Sequence, residues 1–287
     1  MSRGLDHIVH AVRDLDAAAA LYERLGFVAG ACNRHPWGTH NRLIQFPGFF
    51  IELLTVAEPE KLGSDAFSAL FGTFNRIFLK THEGFSVLLL ESGDAARDAA
   101  AFAGAGIAAS QAVRFEREGR RPDGSTVTVG FSLAFARDAK APEAAFAVCQ
   151  QHYPENFWNP AFQTHPNTAS AVSGVVLVAP DPKDHRDFLS AFSGKQAPSA
   201  MAGGISVTTA RGKIQVMDPA AYAGHFGVEA PDTSRGARLA ALSIGVRDFS
   251  AAVGLLQAAQ VPASLRMGRI VIGPSVAMGA TLVLEQG

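Results

Sequence analysis

Two residues stand out for the chemistry they could carry. His7 interrupts a short apolar run, Leu5 to Val12, and Glu52 sits among Phe49, Phe50, Ile51, Leu53 and Leu54. A lone carboxylate in such company is costly unless a metal, a cation or a hydrogen-bond donor meets it. Without a metal it would be a general base with a raised pKa. For His7 the plainer reading is a strand histidine bonded to a backbone carbonyl. His10, three residues on, faces the opposite side of a period-two strand and is given no role.

A second concentration of polar side chains runs through Arg34, His35, Trp37, Thr39, His40, Asn41 and Arg42. Pro36 and Gly38 are ordinary turn formers, but this density exceeds what a turn needs. Trp37 could stack on a ligand, Asn41 and Arg42 could hold its oxygens, and Arg42 is the expected partner for a carboxylate. His152, Glu155, Trp158 and His165 crowd a later irregular stretch, where hydrogen bonding within the segment is the competing reading.

The elements that must position these groups follow from the local pattern. Leu5–Val12 reads as a strand, stopped at Arg13-Asp14. Asp14 can cap a helix whose apolar face repeats at Ala17, Ala18, Leu21, Tyr22 and Leu25 and which ends at Gly26. Strands are expected at 27–30, 41–46 and 49–56, giving the order β, α, β, β, β. The pattern recurs: Val12-Arg13-Asp14 matches Val246-Arg247-Asp248 at an offset of 234, and Ile51-Glu52 matches Leu284-Glu285 at 233. Weaker copies begin at Phe85 and Gly174. The expected fold class is α+β, with repeated βαβββ units pairing into cupped mixed sheets: four units in two domains, 1–155 and 170–287, joined by 156–169.

The opening Leu5-Asp6-His7-Ile8-Val9-His10-Ala11-Val12-Arg13-Asp14, with Arg34-His35-Pro36-Trp37-Gly38-Thr39, Phe50-Ile51-Glu52-Leu53-Leu54 and Cys149 to Glu155, resembles the vicinal-oxygen-chelate superfamily, in its glyoxalase-like domain branch. The resemblance implies a cup holding a divalent metal (Zn, Fe, Mn, Ni or Co) on ligands from the first and last strands of each unit. Carried over, His7 and Glu52 are ligands, with Glu52 also the catalytic group. The unit-two counterpart of His7 is Val87, which cannot bind metal, so His152 is the expected third ligand, ahead of Gln150 or Gln151. The counterparts in units three and four are Gly174 and Ala241. Arg34, His35, Trp37, Thr39, His40, Asn41, Arg42 and His165 are the expected substrate-binding set.

Composition bounds the rest. The 287 residues are 48% hydrophobic with a net charge of −1, enough for a buried core and without the basic footprint of a nucleic-acid or membrane binder. Two distant cysteines, Cys32 and Cys149, in no CxxC or similar spacing, argue against both a disulfide framework and a cysteine metal site. A cytoplasmic protein is expected, with a small molecule as partner and a homodimer as its assembly. The expected function is a metal-dependent lyase, isomerase or dioxygenase on a small oxygen-rich substrate. The alternative is a metal-free protein that sequesters a small ligand, as antibiotic-resistance members of the superfamily do. A third, weaker reading gives the second half only a scaffold or interface role.

Overall fold

The computed structural model describes residues 3–287 except 64, 66, 121–123 and 196, and leaves the Arg120 side chain undescribed. Its strands form two curled eight-stranded sheets. The first contains β1 (Leu5–Ala11), β2 (Asn33–Arg34), β3 (Thr39–Phe46), β4 (Phe49–Val56), β5 (Gly84–Glu91), β6 (Val113–Arg120), β7 (Thr126–Ala136) and β8 (Ala145–Gln151), in the order β2-β3-β4-β1-β5-β8-β7-β6. The second contains β9 (Ala169–Val178), β10 (Ser199–Met201), β11 (Gly204–Thr208), β12 (Lys213–Met217), β13 (Arg238–Val246), β14 (Ser264–Arg266), β15 (Arg269–Ile272) and β16 (Thr281–Gln286), in the order β10-β11-β12-β9-β13-β16-β15-β14. The two orders are the same path, so four βαβββ units pair two by two, as the repeat predicts.

Each unit starts its helix with the same device. Asp14 accepts backbone N–H groups ahead of α1 (Leu15–Arg24), Asp94 ahead of α3 (Ala95–Gly104) and Asp248 ahead of α7 (Phe249–Ala258). In unit three Asp181 caps a short 3-10 turn that runs into α5 (Arg186–Ser193). An aspartate side chain meets donors that a helix start otherwise leaves unpaired. The expected strand at 27–30 is not formed. Gly30 N–H makes one bond to Leu43 O, Phe27 N–H bonds back to Tyr22 O, and the outer strand begins only at Asn33.

Within each sheet the first strands of the paired units lie antiparallel at the centre, β1 beside β5 and β9 beside β13. Every one of these four strands is bulged. The shared extra residue is Asp6 in β1, Ser86 in β5, Ser173 in β9 and Ala240 in β13, the same position of the repeat each time, and β9 has a further one at Ser170. A bulge turns two consecutive side chains toward one face where regular pleating would separate them.

The helix-covered faces of both sheets merge into one apolar core, and each concave face has a smaller core of its own. The halves are tied by His10, whose Nε2 bonds Met278 O at 3.0 Å, and by the buried pair His185–Asp138 at 2.5 Å. His10 lies on the helix side of β1, hydrogen-bonded to Tyr22 Oη, and burial lowers its pKa to about 4, so it is neutral at pH 7.

The two cups differ in what fills them. In the second, α6 (Pro219–Phe226) drives Tyr222 and Phe226 into the concavity, and Tyr222 Oη donates to Thr281 Oγ1 at 2.8 Å. The first is roofed by a helical segment the βαβββ order does not provide for, a π-helical turn Ser68–Gly72 continuing into α2 (Thr73–Thr81). Asn75 holds it to the sheet, accepting from Ser86 Oγ at 2.7 Å. No helix among the described residues is long and apolar enough to cross a membrane.

Because Phe226 is 2% exposed, Phe226→Ala should leave a void in the second cup and lower the unfolding free energy by about 3–5 kcal/mol. Denaturant unfolding checks this; an unchanged midpoint would mean that α6 is not a packed part of the fold.

Candidate active site in the first cup

Strand parity decides which polar residues reach the first cup. On β3, Asn41, Leu43 and Gln45 alternate with Ile44 and Phe46, which belong to the main core. On β4, Phe50, Glu52 and Leu54 face the cup while Phe49, Ile51 and Leu53 face the helices. On β1, His7 and Val9 face the cup. The Asp6 bulge adds a second polar side chain to the same face, and Asp6 Oδ1 holds His7 Nδ1 at 2.5 Å.

Together these strands enclose a narrow cavity of about 50 Å³ that opens toward solvent. Its polar part comprises His7, His35, Asn41, Glu52, Arg117 and Cys149, and its walls are aromatic: Trp37 from the 35–38 turn, Phe50 from β4, Phe67 and Phe71 from the roof, Phe115 and Phe131 from β6 and β7, and Phe157 from α4 (Pro154–Phe157). A wider, more open groove forms its mouth and shares Leu43, Arg117 and Phe157 with it. The turn presenting His35 and Trp37 depends on Gly38, whose φ is +96° and whose missing Cβ would fall 2.2 Å from Glu58 O.

Glu52 is the centre of the polar cluster. Asn41 Nδ2 donates to its Oε1 at 2.5 Å and also lies 3.5 Å from His35 Nε2. Burial raises the Glu52 pKa, partly offset by His7, the Asn41 hydrogen bond and Arg117. The His35 imidazole is driven down to about 3 by burial, with Arg117 and His40 adding to the effect, so it is neutral; it stacks on Trp37 at 4.6 Å. Thr39 Oγ1 locks this pair, bonding His35 Nδ1 at 2.9 Å and Trp37 Nε1 at 2.8 Å. The His7 ring lies flat on Phe50, centroids 4.1 Å apart. Burial, and then Asp6, push the Cys149 thiol well above its ordinary pKa, so it is not a ready thiolate.

Of the expected site residues, His7, His35, Trp37, Asn41 and Glu52 meet around this cavity, with Thr39 behind them. The others do not, for identifiable reasons. His40 and Arg42 sit on the opposite face of β3, where His40 pairs with Glu58 and Arg42 with Asp16 at the start of α1. Arg34 is exposed on β2 and reaches only the outer groove. His165 is a rivet: its Nδ1 accepts Val28 N–H and its Nε2 donates to Gln45 O, away from the cup. His152 bonds Ser132 Oγ at 2.8 Å beyond the end of β8 and does not line the cavity.

The donor set expected for a metal, His7 with Glu52 and His152, is therefore not assembled. Strand pairing also places the unit-two counterpart of Glu52. Glu52 is opposite Val9 on β4, and the corresponding pair across β5 and β8 is Leu89 with Ala147. Unit two thus offers Val87 and Ala147 where ligands would be required. In unit four the register moves the counterpart of Glu52 to Val283, opposite Ser243, so Glu285 lies one pleat further along and is occupied by Ser173 and Arg269. A different trio, Asp6, His7 and Cys149, brings its ligand atoms within 4.8 Å of one another and could hold an ion.

Three groups were not legible as site residues. Cys149, in no metal-ligand spacing, is expected to have no part in a metal site, yet β8 brings it beside Asp6 and His7. Asp6 adjoins His7, and adjacent residues normally take opposite faces of a strand, so only the bulge reveals it. Arg117 lies on β6 in an alternation of charged residues that reads as a solvated edge.

The family model for the glyoxalase-like domain matches residues 5–192, and the chain belongs to that family. No curated protein matches it. Among solved structures it is similar to a hypothetical protein from Staphylococcus aureus (14% identity, TM-score 0.70, 99% of this chain and 100% of the other). It is similar also to a mutant 4-hydroxymandelate synthase from Streptomyces coelicolor (12%, 0.60, 100% and 93%). A third similarity is to a xylose isomerase-like TIM barrel/4-hydroxyphenylpyruvate dioxygenase fusion protein (15%, 0.56), of which the chain spans about half, 48%. These similarities show the shared fold, paired βαβββ units in two curled sheets.

A carboxyl whose folded-state pKa is raised stabilises the fold fully below its unfolded pKa, and that contribution is lost as pH rises through the folded value. Glu52→Gln should therefore melt higher than the wild type at pH 8, with the gap closing toward pH 4. A gap that is constant across this range would place Glu52 in a watery setting.

Proposed function

We propose that the first cup is the active site of an enzyme that moves a proton on a small, flat, oxygen-bearing substrate, with Glu52 as the acid–base group. The observation that carries this is the placement of Glu52: a buried carboxyl of raised pKa facing a cavity with aromatic walls, within the influence of His7 and Arg117. A carboxyl tuned upward toward neutrality serves as proton acceptor and donor at physiological pH. Asn41 orients it. Asp6 occupies His7 Nδ1 and leaves Nε2 as the nitrogen able to meet a substrate oxygen. The ring walls take the flat part of the ligand and keep bulk water from the reacting atoms. Aromatic walls narrow the expected oxygen-rich substrate to one with a substantial apolar surface.

The test is isotope exchange. Incubated in D2O with a panel of small aromatic α-hydroxy and α-oxo carbonyl compounds, the wild type should catalyse deuterium entry next to the carbonyl of at least one, read by NMR. Glu52→Gln should slow that exchange by about 10²–10⁴-fold. No exchange with any member, alongside tight binding of several, would replace this reading with the ligand-sequestering one.

A second reading, metal-dependent lyase, isomerase or dioxygenase chemistry, is favoured by the proximity of Asp6, His7 and Cys149. A Zn, Fe, Mn, Ni or Co ion bound there would supply a Lewis acid for a substrate oxygen. Protein purified without chelator would then carry near-stoichiometric metal, lost in His7→Ala and Cys149→Ser but retained in His152→Ala. Metal-free protein that still catalyses the exchange would dismiss this reading.

A further inference from the structure

Arg117 projects from β6, opposite Val129 of β7, at the junction of the cavity and its mouth, and lines both. It is a half-buried cation whose only hydrogen bonds among the described residues run from Nη1, to Glu118 O at 3.1 Å and more weakly to Asn33 Oδ1 at 3.5 Å. Among the described residues it forms no ion pair, and its Nε and Nη2 donors have no acceptor. Its influence on Glu52 is felt across space, without contact. Arg42 is held by Asp16 and Arg114 by Glu116, and Arg34 lines the mouth but not the cavity, so Arg117 is the arginine that reaches both.

A guanidinium only partly in water gains from an anion that meets it, and its planar fork matches a carboxylate. The unused Nε and Nη2 are open to solvent, so an incoming carboxylate can reach them. The cavity that Arg117 also lines has Trp37, Phe115, Phe131 and Phe157 in its walls, surfaces for an apolar body and not for a strongly hydrated anion. Glu116 and Glu118 flank Arg117 on the same strand and line the mouth, a setting that tolerates a single negative charge better than a dianion such as phosphate.

We propose that Arg117 is the carboxylate-binding residue of this cavity, so that the ligand is a flat, apolar monocarboxylate lying with its charge at the mouth and its rings against the aromatic walls. The proposal rests on the reading of the first cup as the ligand site and names the class of molecule it takes. Arg117, not Arg42, then fixes which end of the substrate faces Glu52 and His7.

Matched acids and amides test it: benzoate, phenylacetate and 3-phenylpropanoate, each against its neutral primary amide, with binding measured by calorimetry at pH 7.5. The wild type should bind at least one acid about tenfold to a hundredfold more tightly than its amide. Arg117→Met should abolish that preference while leaving amide binding within a few-fold, which also shows that the variant is folded. Arg117→Lys, which keeps the charge and loses the fork, should restore only part of it. If the wild type binds acid and amide equally, or Arg117→Met keeps the preference, the carboxylate assignment is overturned while the cavity remains a ligand site. If neither acids nor amides bind the wild type, both the assignment and the reading of the cup as the ligand site fail.

Discussion

The first cup depends on the antiparallel seam between β1 and β5 and the bulge each strand carries. Hydrogen bonding along the seam fixes the register, and the extra residue in each strand aims a polar side chain at the concave face. In β1 it delivers Asp6 beside His7, so that the carboxylate grips Nδ1. In β5 it delivers Ser86, which holds Asn75 and through it the α2 roof. One backbone irregularity, used twice by the pseudo-symmetry of the paired units, thus orders the imidazole and closes the lid of the same chamber.

The second sheet repeats the seam and the bulges yet makes no comparable chamber. Ser173 takes the place of Asp6 in unit three and is bound to Glu285, and Ala240 in unit four has no polar side chain to offer. The positions corresponding to His7 and Glu52 are Gly174 with Gln215 and Ala241 with Val283. Tyr222 and Phe226 occupy the concave space that Phe67 and Phe71 only border in the first sheet. Backbone topology is shared between the halves, and side-chain volume separates a chamber from a plug. That separation is why the fold supports an active-site argument on one side of the molecule only.

Much of this architecture was readable in the chain. The aspartate caps and the apolar spacing of α1 and α7 are local signals, and their recurrence at an offset of 234 announced the four-unit order. The family resemblance places His7 and Glu52 on the cup, and on the regular strand β4 period-two parity, counted from Ile51 and Leu53, agrees. The same rule, applied to Asn41, would have separated it from His40 and Arg42, which instead read as one polar loop. Parity gave no access to Asp6, because a bulge breaks the alternation on which it relies. Glu285 was matched to Glu52 through composition, whereas strand register, a long-range property, moves it one pleat away. The π-helical roof and the plug α6 were invisible for a similar reason: what holds them is tertiary burial of Phe71, Tyr222 and Phe226, not a sustained helical period.

Both readings of the chemistry converge on the same nitrogen. A carboxylate on Nδ1 fixes the tautomer of His7 and strengthens Nε2, whether that nitrogen is to meet a substrate oxygen or a cation. The readings part at Glu52. With only Asn41, His7 and Arg117 opposing burial, its proton is held more firmly than in water, the condition a proton-transferring carboxyl needs. A divalent ion close to it would reverse that balance, since the nearest large charge governs local protonation. The apolar counterparts Val87 and Ala147 leave an ion in the usual position without ligands from unit two, whereas they cost a proton-transfer site nothing and extend the apolar lining of the cup. The side chains of the second unit therefore weigh on the side of Glu52 acting through its own proton.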